Sequence, residues 1–274
     1  MTIEAKSDAL WRLLDKNAAV KQIATGFGFT EGPVFSRRGY LLFSDIPNQK
    51  IHRWDRTAGV TVLRENSNKA NGLTFDHQGR LLVAEGGGRV TRTEKDGSLT
   101  VLADSGLKGP NDLVYAIDGS VYFSDLPGGV VYQITRERSG VGGAPPKGEV
   151  RAAAEVLAPN GVALSPNQQQ LYVADVKSQM IRVHDIAADG RLGKPRDFAP
   201  VRVDGFKTDE AGNLWVATRD GIRVYDVQGQ HLGTITIPEA PSNCCWGEGF
   251  RGLYITARTS VFHIPTLVAG TRTF

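Results

Sequence analysis

Six polar residues recur along the chain, each just ahead of an apolar run: Glu31, Asn71, Asn111, Asn160, Asp204 and Asn243. Successive members are separated by 40, 40, 49, 44 and 39 residues. Two carboxylates and four amide oxygens brought to one place form an oxygen-only cage, the donor set that a hard cation such as Ca²⁺ requires. Without a cation, the two carboxylates oppose each other's ionisation. Taken singly, each of the six reads as a turn former. Six in register read as a site, with Asn71 and Asn243 the first candidates for a purely local, loop-holding role. The five histidines, His52, His77, His184, His231 and His263, fall on turns or on late strands of their repeats. Zinc sites typically use His and Cys, so a dedicated zinc site is not expected, although an oxygen cage also accepts Mg²⁺, Mn²⁺ or Zn²⁺.

The elements that must bring the six together are displayed by residues 159–186, where PNGVALS is followed by a Ser-Pro-Asn turn, a buried-strand run LYVAD and the alternating segment MIRVHDI. Versions of this unit open at Glu31 (EGPVFSRRGYLLFSD), Ala70 (ANGLTFDHQGRLLVAEG), Pro110 (PNDLVYAIDGSVYFSD), Val203 (VDGFKTDEAGNLWVATRDG) and Ser242 (SNCCWGEGFRGLYITAR). A repeat of roughly 40 to 50 residues made of short strands and tight Gly, Asn, Asp and Pro turns is the mark of a propeller blade. Helical arrays of that period would show a 3.6-residue apolar pattern, which is absent from these segments. The reading is therefore all-β: a six-bladed β-propeller with four-stranded blades, whose inner strands line a channel and carry the six residues to one mouth.

The sixth copy holds only three strands, and a ring must not keep an open edge. Residues 20–24 are predicted to supply its outer strand, closing the ring from the N-terminus. A short amphipathic segment at 9–14 predicts a short helix within an N-terminal extension, 1–18. The repeats run almost end to end, so residues 1–274 are read as one domain. The long spacing after Asn111 places a surface loop at 140–154, inside the third blade.

The composition, 41% hydrophobic and 22% charged, is that of an ordinary globular chain, and 32 Gly with 13 Pro suit many turns. The net charge of +3 is spread out, and Arg37-Arg38 is the longest basic stretch, which sets nucleic acid aside as a partner. No run of 18 apolar residues and no signal-peptide core is present, so no membrane partner and a cytoplasmic location are expected. Self-association is left open. Cys244 and Cys245 are adjacent, so on a strand they face opposite ways and read as buried small hydrophobes.

Asp45, Asp125 and Asp175 recur after the second strands and read as acceptors for turn amides, Asp125 lying nearest to a functional role. Selectivity is expected from loops at 46–49, 86–88, 126–129 and 176–179, with Arg219 and Trp246 as contributors, Trp246 equally readable as core.

The segments FTEGPVF, GPNDLV, PNGVALSP and DGFKTDEAGNLWVA, in this order, resemble the motifs of the SMP-30/gluconolactonase/luciferin-regenerating-enzyme-like family over residues 25–264. The resemblance implies a six-bladed propeller with one divalent cation, often Ca²⁺, in the channel, and the hydrolysis of sugar lactones found in many members. Carried over by position, it implies Glu31, Asn160 and Asp204 as the metal ligands, Asp204 also as general base, and Asn111 as a further ligand or substrate contact. In the mechanism this implies, the cation polarises the lactone carbonyl, Asp204 takes a proton from water, and Asn111 and Asn160 orient the ester. Asn71, Asn111, Asn243 and Arg219 are the expected substrate contacts. The second copy lacks the Arg-Xaa-Asn-Asp-Gly arrangement with which several sugar lactonases hold hydroxyls, so the resemblance leaves the kind of lactone open. Two other classes stay open: phosphotriester hydrolysis at the same site, and a non-enzymatic binding propeller, against which two carboxylates at the axis count.

Overall fold

The computed structural model describes residues 2–137 and 148–271. Six antiparallel sheets stand around one axis. Blade 1 is built from Thr30–Ser36, Tyr40–Asp45, Lys50–Asp55 and Gly59–Arg64, running from the axis outward. Blades 2, 3 and 4 repeat that order from the inner strands Ala70–Phe75, Pro110–Tyr115 and Pro159–Leu164. Blade 5 begins at Phe206–Thr208 and blade 6 at Pro241–Gly247. Each inner strand touches those of the blades on either side, with blade 6 against blade 1, so the ring is closed.

The apolar patterning explains this arrangement. The second strands, such as Leu81–Glu85 and Leu214–Thr218, are buried along their whole length because both faces of the sheet are covered by neighbouring blades. Alternate residues then serve alternate interfaces: Leu81 and Val83 pack with blade 1, Leu82 and Ala84 with blade 3. Every pair of adjacent blades encloses such a cluster, so the core is distributed between blades and the axis is left to polar groups. The outer strands are more exposed, as in Gly59–Arg64.

Closure follows the strand count. Lys21–Thr25 pairs antiparallel with Ser260–Pro265 as the outer strand of blade 6, as residues 20–24 were expected to do. The N-terminal helix is one 3₁₀ turn, Asp8–Arg12, capped by Ser7 Oγ and burying Leu10. Its surroundings were not foreseen. Ile3–Ala5 pairs with His231–Ile235 and gives blade 5 a fifth strand, so the N-terminal extension is itself built into a sheet. Of the loop expected at 140–154, residues 140–147 lie outside the described residues. The rest leads into Val150–Glu155, the outer strand of blade 3.

Candidate metal and lactone site

In five of the six blades the site residue sits at a break in the ladder; in blade 5 Asp204 precedes the inner strand, whose pairing is regular. Between inner and second strands the register shifts at Glu31/Val34, Ala70/Leu73, Pro110/Leu113, Pro159/Val162 and Pro241/Asn243. A bulge frees a residue from pairing and re-aims its side chain, here at the start of the inner strands of blades 1, 2, 3, 4 and 6. The approach to that point is fixed by the recurrent aspartates. Asp45 accepts from the Gly28 and Phe29 N–H groups, and Asp125 from Lys108, Gly109 and Gly128. Asp175 accepts from Ala158, Lys177 and Ser178. All three are turn acceptors, as their sequence context implied.

The glycine that follows most of the six has a steric reason. A Cβ at Gly161 would stand 2.6 Å from the Asp204 carbonyl oxygen, and one at Gly32, which also has φ +49°, would stand 1.9 Å from that of Asn71. The inner strands approach too closely there for a side chain. Serines bridge the same seams: Ser44 donates to the Asn71 carbonyl at 2.7 Å, Ser124 to that of Asn160 at 2.6 Å, and Ser242 to that of Thr30 at 2.7 Å.

In blade 3 the position after the asparagine holds Asp112, not glycine, and Asp112 is 2% exposed. Its carboxylate accepts from the Leu113 N–H at 2.9 Å and lies 3.6 Å from Lys207 Nζ, a group on the inner strand of blade 5. Lys207 also donates to the Phe206 carbonyl at 3.1 Å and to Asn243 Oδ1 at 3.4 Å. Burial works against its ammonium, but Asp112, Glu31 and the two cysteines together outweigh it and hold the Lys207 pKa above its ordinary value. Beyond Lys207 the channel is lined by Val34, Leu73, Leu113, Leu164 and Cys245, so Lys207 divides a polar end from an apolar one.

At the polar end Glu31 is buried and accepts from the Gly32 N–H and from Asn243 Nδ2, the latter at 3.1 Å. Burial, and then the charges of Asp204 and Asp112, push its pKa well above the usual carboxylate range. Burial also raises that of Asp204 to about 6, with the Asp112 charge adding to it and the Asn160 amide and Arg202 opposing it. Three carboxylates and one ammonium share the axis, a formal charge of −2 when all are ionised. Asn160 and Asp204 line a cavity of about 430 Å³ that opens between the blade 4, 5 and 6 loops and also admits Arg219.

The six expected residues are thus gathered at one end of the ring but used unequally. Glu31, Asp204 and Asn160 meet in one electrostatic cluster, and Arg219 is exposed at the cavity rim. Asn71 and Asn111 sit half-buried at the equivalent points of blades 2 and 3. Asn71 Oδ1 is buried without a hydrogen-bond partner among the described residues. Asn243, expected as a substrate contact, directs its amide at Glu31, Lys207 and its own strand, where Cys244 N–H bonds Oδ1 at 2.9 Å. Trp246 is core: it packs edge-on against Trp215 and donates to the Thr208 carbonyl at 2.8 Å. Asp112 and Lys207 were missed, though the loss of glycine at 112 and a lysine on an innermost strand were both visible. Both cysteines are free and buried, and burial raises the Cys244 thiol to about 12.

The donor set suits a hard cation. Among the described residues no three His, Cys, Asp or Glu side chains form a ligand group by themselves, so a cation here needs the Asn160 amide oxygen beside Glu31 and Asp204. Like-charge crowding at Glu31 and the unpartnered Asn71 oxygen both fit such an ion.

A six-bladed propeller with an acidic, amide-lined polar end to its channel defines the class. Residues 29–259 match the SMP-30/Gluconolactonase/LRE-like region, and the chain belongs to that family. It is 30% identical to a gluconolactonase of Zymomonas mobilis subsp. mobilis, over 96% of this chain and 86% of that protein. It is 29% identical to a 6-deoxy-6-sulfogluconolactonase of Pseudomonas putida, over 83% and 82%. The structure of a gluconolactonase from Xanthomonas campestris superposes with a TM-score of 0.86 at 30% identity, covering 97% of this chain and 95% of that one.

Proposed function

We propose that this protein is a lactonase that opens a sugar-type lactone with the help of one divalent cation. Relatives named gluconolactonase and 6-deoxy-6-sulfogluconolactonase support the reaction class. The observation that carries the cation dependence is the crowding of the Glu31, Asp204 and Asp112 carboxylates against one ammonium, Lys207, beside an open cavity. Glu31, Asn160 and Asp204 would hold the ion, with Ca²⁺ best matched to an all-oxygen set and Mg²⁺, Mn²⁺ or Zn²⁺ as alternatives. When bound, the cation supplies Lewis-acid polarisation of the lactone carbonyl.

The chain supplies the rest. Asp204 takes the proton of the attacking water on a carboxylate oxygen. Asn160 holds that carboxylate by a hydrogen bond. Asn111 and Asn71 offer amide groups to the lactone's ring and hydroxyl oxygens, and Arg219 closes on it from the rim. Glu31 is fixed by Gly32 and Asn243, which act as positioning groups.

The test is proton release from glucono-1,5-lactone by chelator-treated protein, before and after adding Ca²⁺, Mg²⁺, Mn²⁺ or Zn²⁺. Turnover restored by a cation is expected. Folded, cation-supplied protein that opens no lactone in a panel of aldonic, aliphatic and aromatic lactones would overturn the reading.

A further inference from the structure

The cavity that holds Asp204 and Asn160 is rimmed by three arginines, Arg202, Arg219 and Arg258. They come from three separate stretches of chain: the entry to the blade 5 inner strand, and the turns joining second and third strands in blades 5 and 6. All three are exposed, and none has an ion-pair partner within 4 Å among the described residues. Most other arginines do: Arg182 pairs with Asp175 and Asp197, and Arg223 with Asp220.

The neighbouring acids are already engaged. Glu239 faces Arg258 but accepts from the Thr259 N–H and hydroxyl and from the Ser260 hydroxyl. Asp220, beside Arg219, takes Arg223 and the Thr218 hydroxyl. Arg202 feels Asp204, whose charge a cation at the site would balance. Three unpaired guanidinium groups at one rim repel one another, and each is a fork built for an oxyanion.

We propose that the substrate is an anionic lactone: a ring whose distal carbon carries a carboxylate, phosphate or sulfonate, gripped by Arg219 and Arg258 while the carbonyl lies at Asp204. This deepens, and rests on, the lactonase reading above. The anion fixes the ring's orientation, and Arg202 adds long-range attraction.

The experiment compares three 1,5-lactones that differ only at C6: glucono-1,5-lactone with a hydroxyl, glucaro-1,5-lactone with a carboxylate and 6-phosphoglucono-1,5-lactone with a phosphate. For the wild type, kcat/KM is expected to be at least tenfold higher for one of the anionic rings than for the neutral one. In the R219Q/R258Q double variant that ratio falls towards one, through KM, and the preference weakens with added salt. Equal rates on all three lactones, or a preference that the double variant keeps, would overturn the anion inference while leaving the lactonase intact. If no lactone is opened, the lactonase reading fails, and titration calorimetry with glucarate against gluconate decides the anion site by itself. Dianion binding at least tenfold tighter and lost in the double variant supports it; equal binding overturns it.

Discussion

Asn243 of the last blade donates its side-chain amide to Glu31 of the first at 3.1 Å, so the seam that closes the ring also orients a buried carboxylate of the site. Glu31 belongs to the blade that begins the inner ring and Asn243 to the blade that ends it. The site therefore exists only once the chain has closed on itself.

Replacing Asn243 by alanine should loosen Glu31 without touching substrate. Groups that hold a metal ligand are commonly worth 10- to 100-fold in metal affinity. Titration calorimetry with Ca²⁺ should show a loss of about that size, with a stability cost of about 1 to 3 kcal/mol because the Cys244 N–H loses its acceptor. Wild-type affinity in this variant would mean that Glu31 needs no such support.

The three acidic and amide roles should separate in kinetics. Asp204→Asn removes the proton acceptor and should lower kcat by about 10² to 10⁴-fold, the usual worth of a general base. Asn111→Ala should impair turnover while leaving cation binding in place, and Glu31→Gln should chiefly weaken the cation. Near-full activity in Asp204→Asn would assign the base elsewhere.

Much of the fold was legible because each of its causes is local. LYVAD, LWVAT and VYFSD are continuous apolar runs because a second strand is covered on both faces, and the missing strand of the sixth copy pointed to the N-terminus. Glu31, Asn160 and Asp204 were legible because each copy of the repeat opens on a polar residue ahead of its first apolar run. The fifth strand on blade 5 was not, since Ile3–Ala5 is three residues long and half-exposed. Nor was the Asp112–Lys207 pair, for the two residues lie 95 positions apart in sequence and meet only across the channel. The arginine rim was half-visible: Arg219 was singled out, but Arg202 and Arg258 join it only through the ring's geometry.

Stability without a cation should fall as pH rises. Glu31 and Asp204 hold protons more tightly folded than unfolded, Asp204 up to about 6 against 3.8. Between those values the native state binds more protons than the unfolded one, so the Asp204 contribution is greatest below pH 3.8 and is lost as pH rises through about 6, and Glu31 acts in the same direction. A cation that binds both carboxylates stabilises the native state by mass action. Thermal melts at pH 4.5 and 7.5 should accordingly show a larger Ca²⁺-induced rise in Tm at the higher pH. The same rise at both would place the ion away from these two groups.

The outer strand of blade 6 offers a test of closure. Removing residues 1–25 deletes Lys21–Thr25 and exposes the edge of Ser260–Pro265, together with apolar surface that Leu10 and Leu14 cover. Burying a leucine side chain is worth about 1.5 to 3 kcal/mol, so the truncated chain should melt well below the full one or aggregate. Removing residues 1–6 alone strips only the short added strand of blade 5 and should cost much less. Equal melting of the full chain and the 1–25 truncation in differential scanning calorimetry would contradict the role of the N-terminal strand as the clasp of the ring.

Lys207→Met tests the axial pair, because methionine keeps the reach of lysine and removes its charge. Asp112 is then a buried carboxylate without its counter-charge, and breaking a buried pair from one side costs about 3 to 5 kcal/mol. The axial charge also goes from −2 to −3. In chelator the variant should therefore melt far below the wild type, and a divalent cation should restore more stability to it than to the wild type. Adding Asp112→Asn should recover most of the cation-free loss, since neutralising both partners leaves no charge to desolvate. If the double variant melts no higher than Lys207→Met alone, the cost lies in the packing of the lysine stem against the channel wall rather than in its charge.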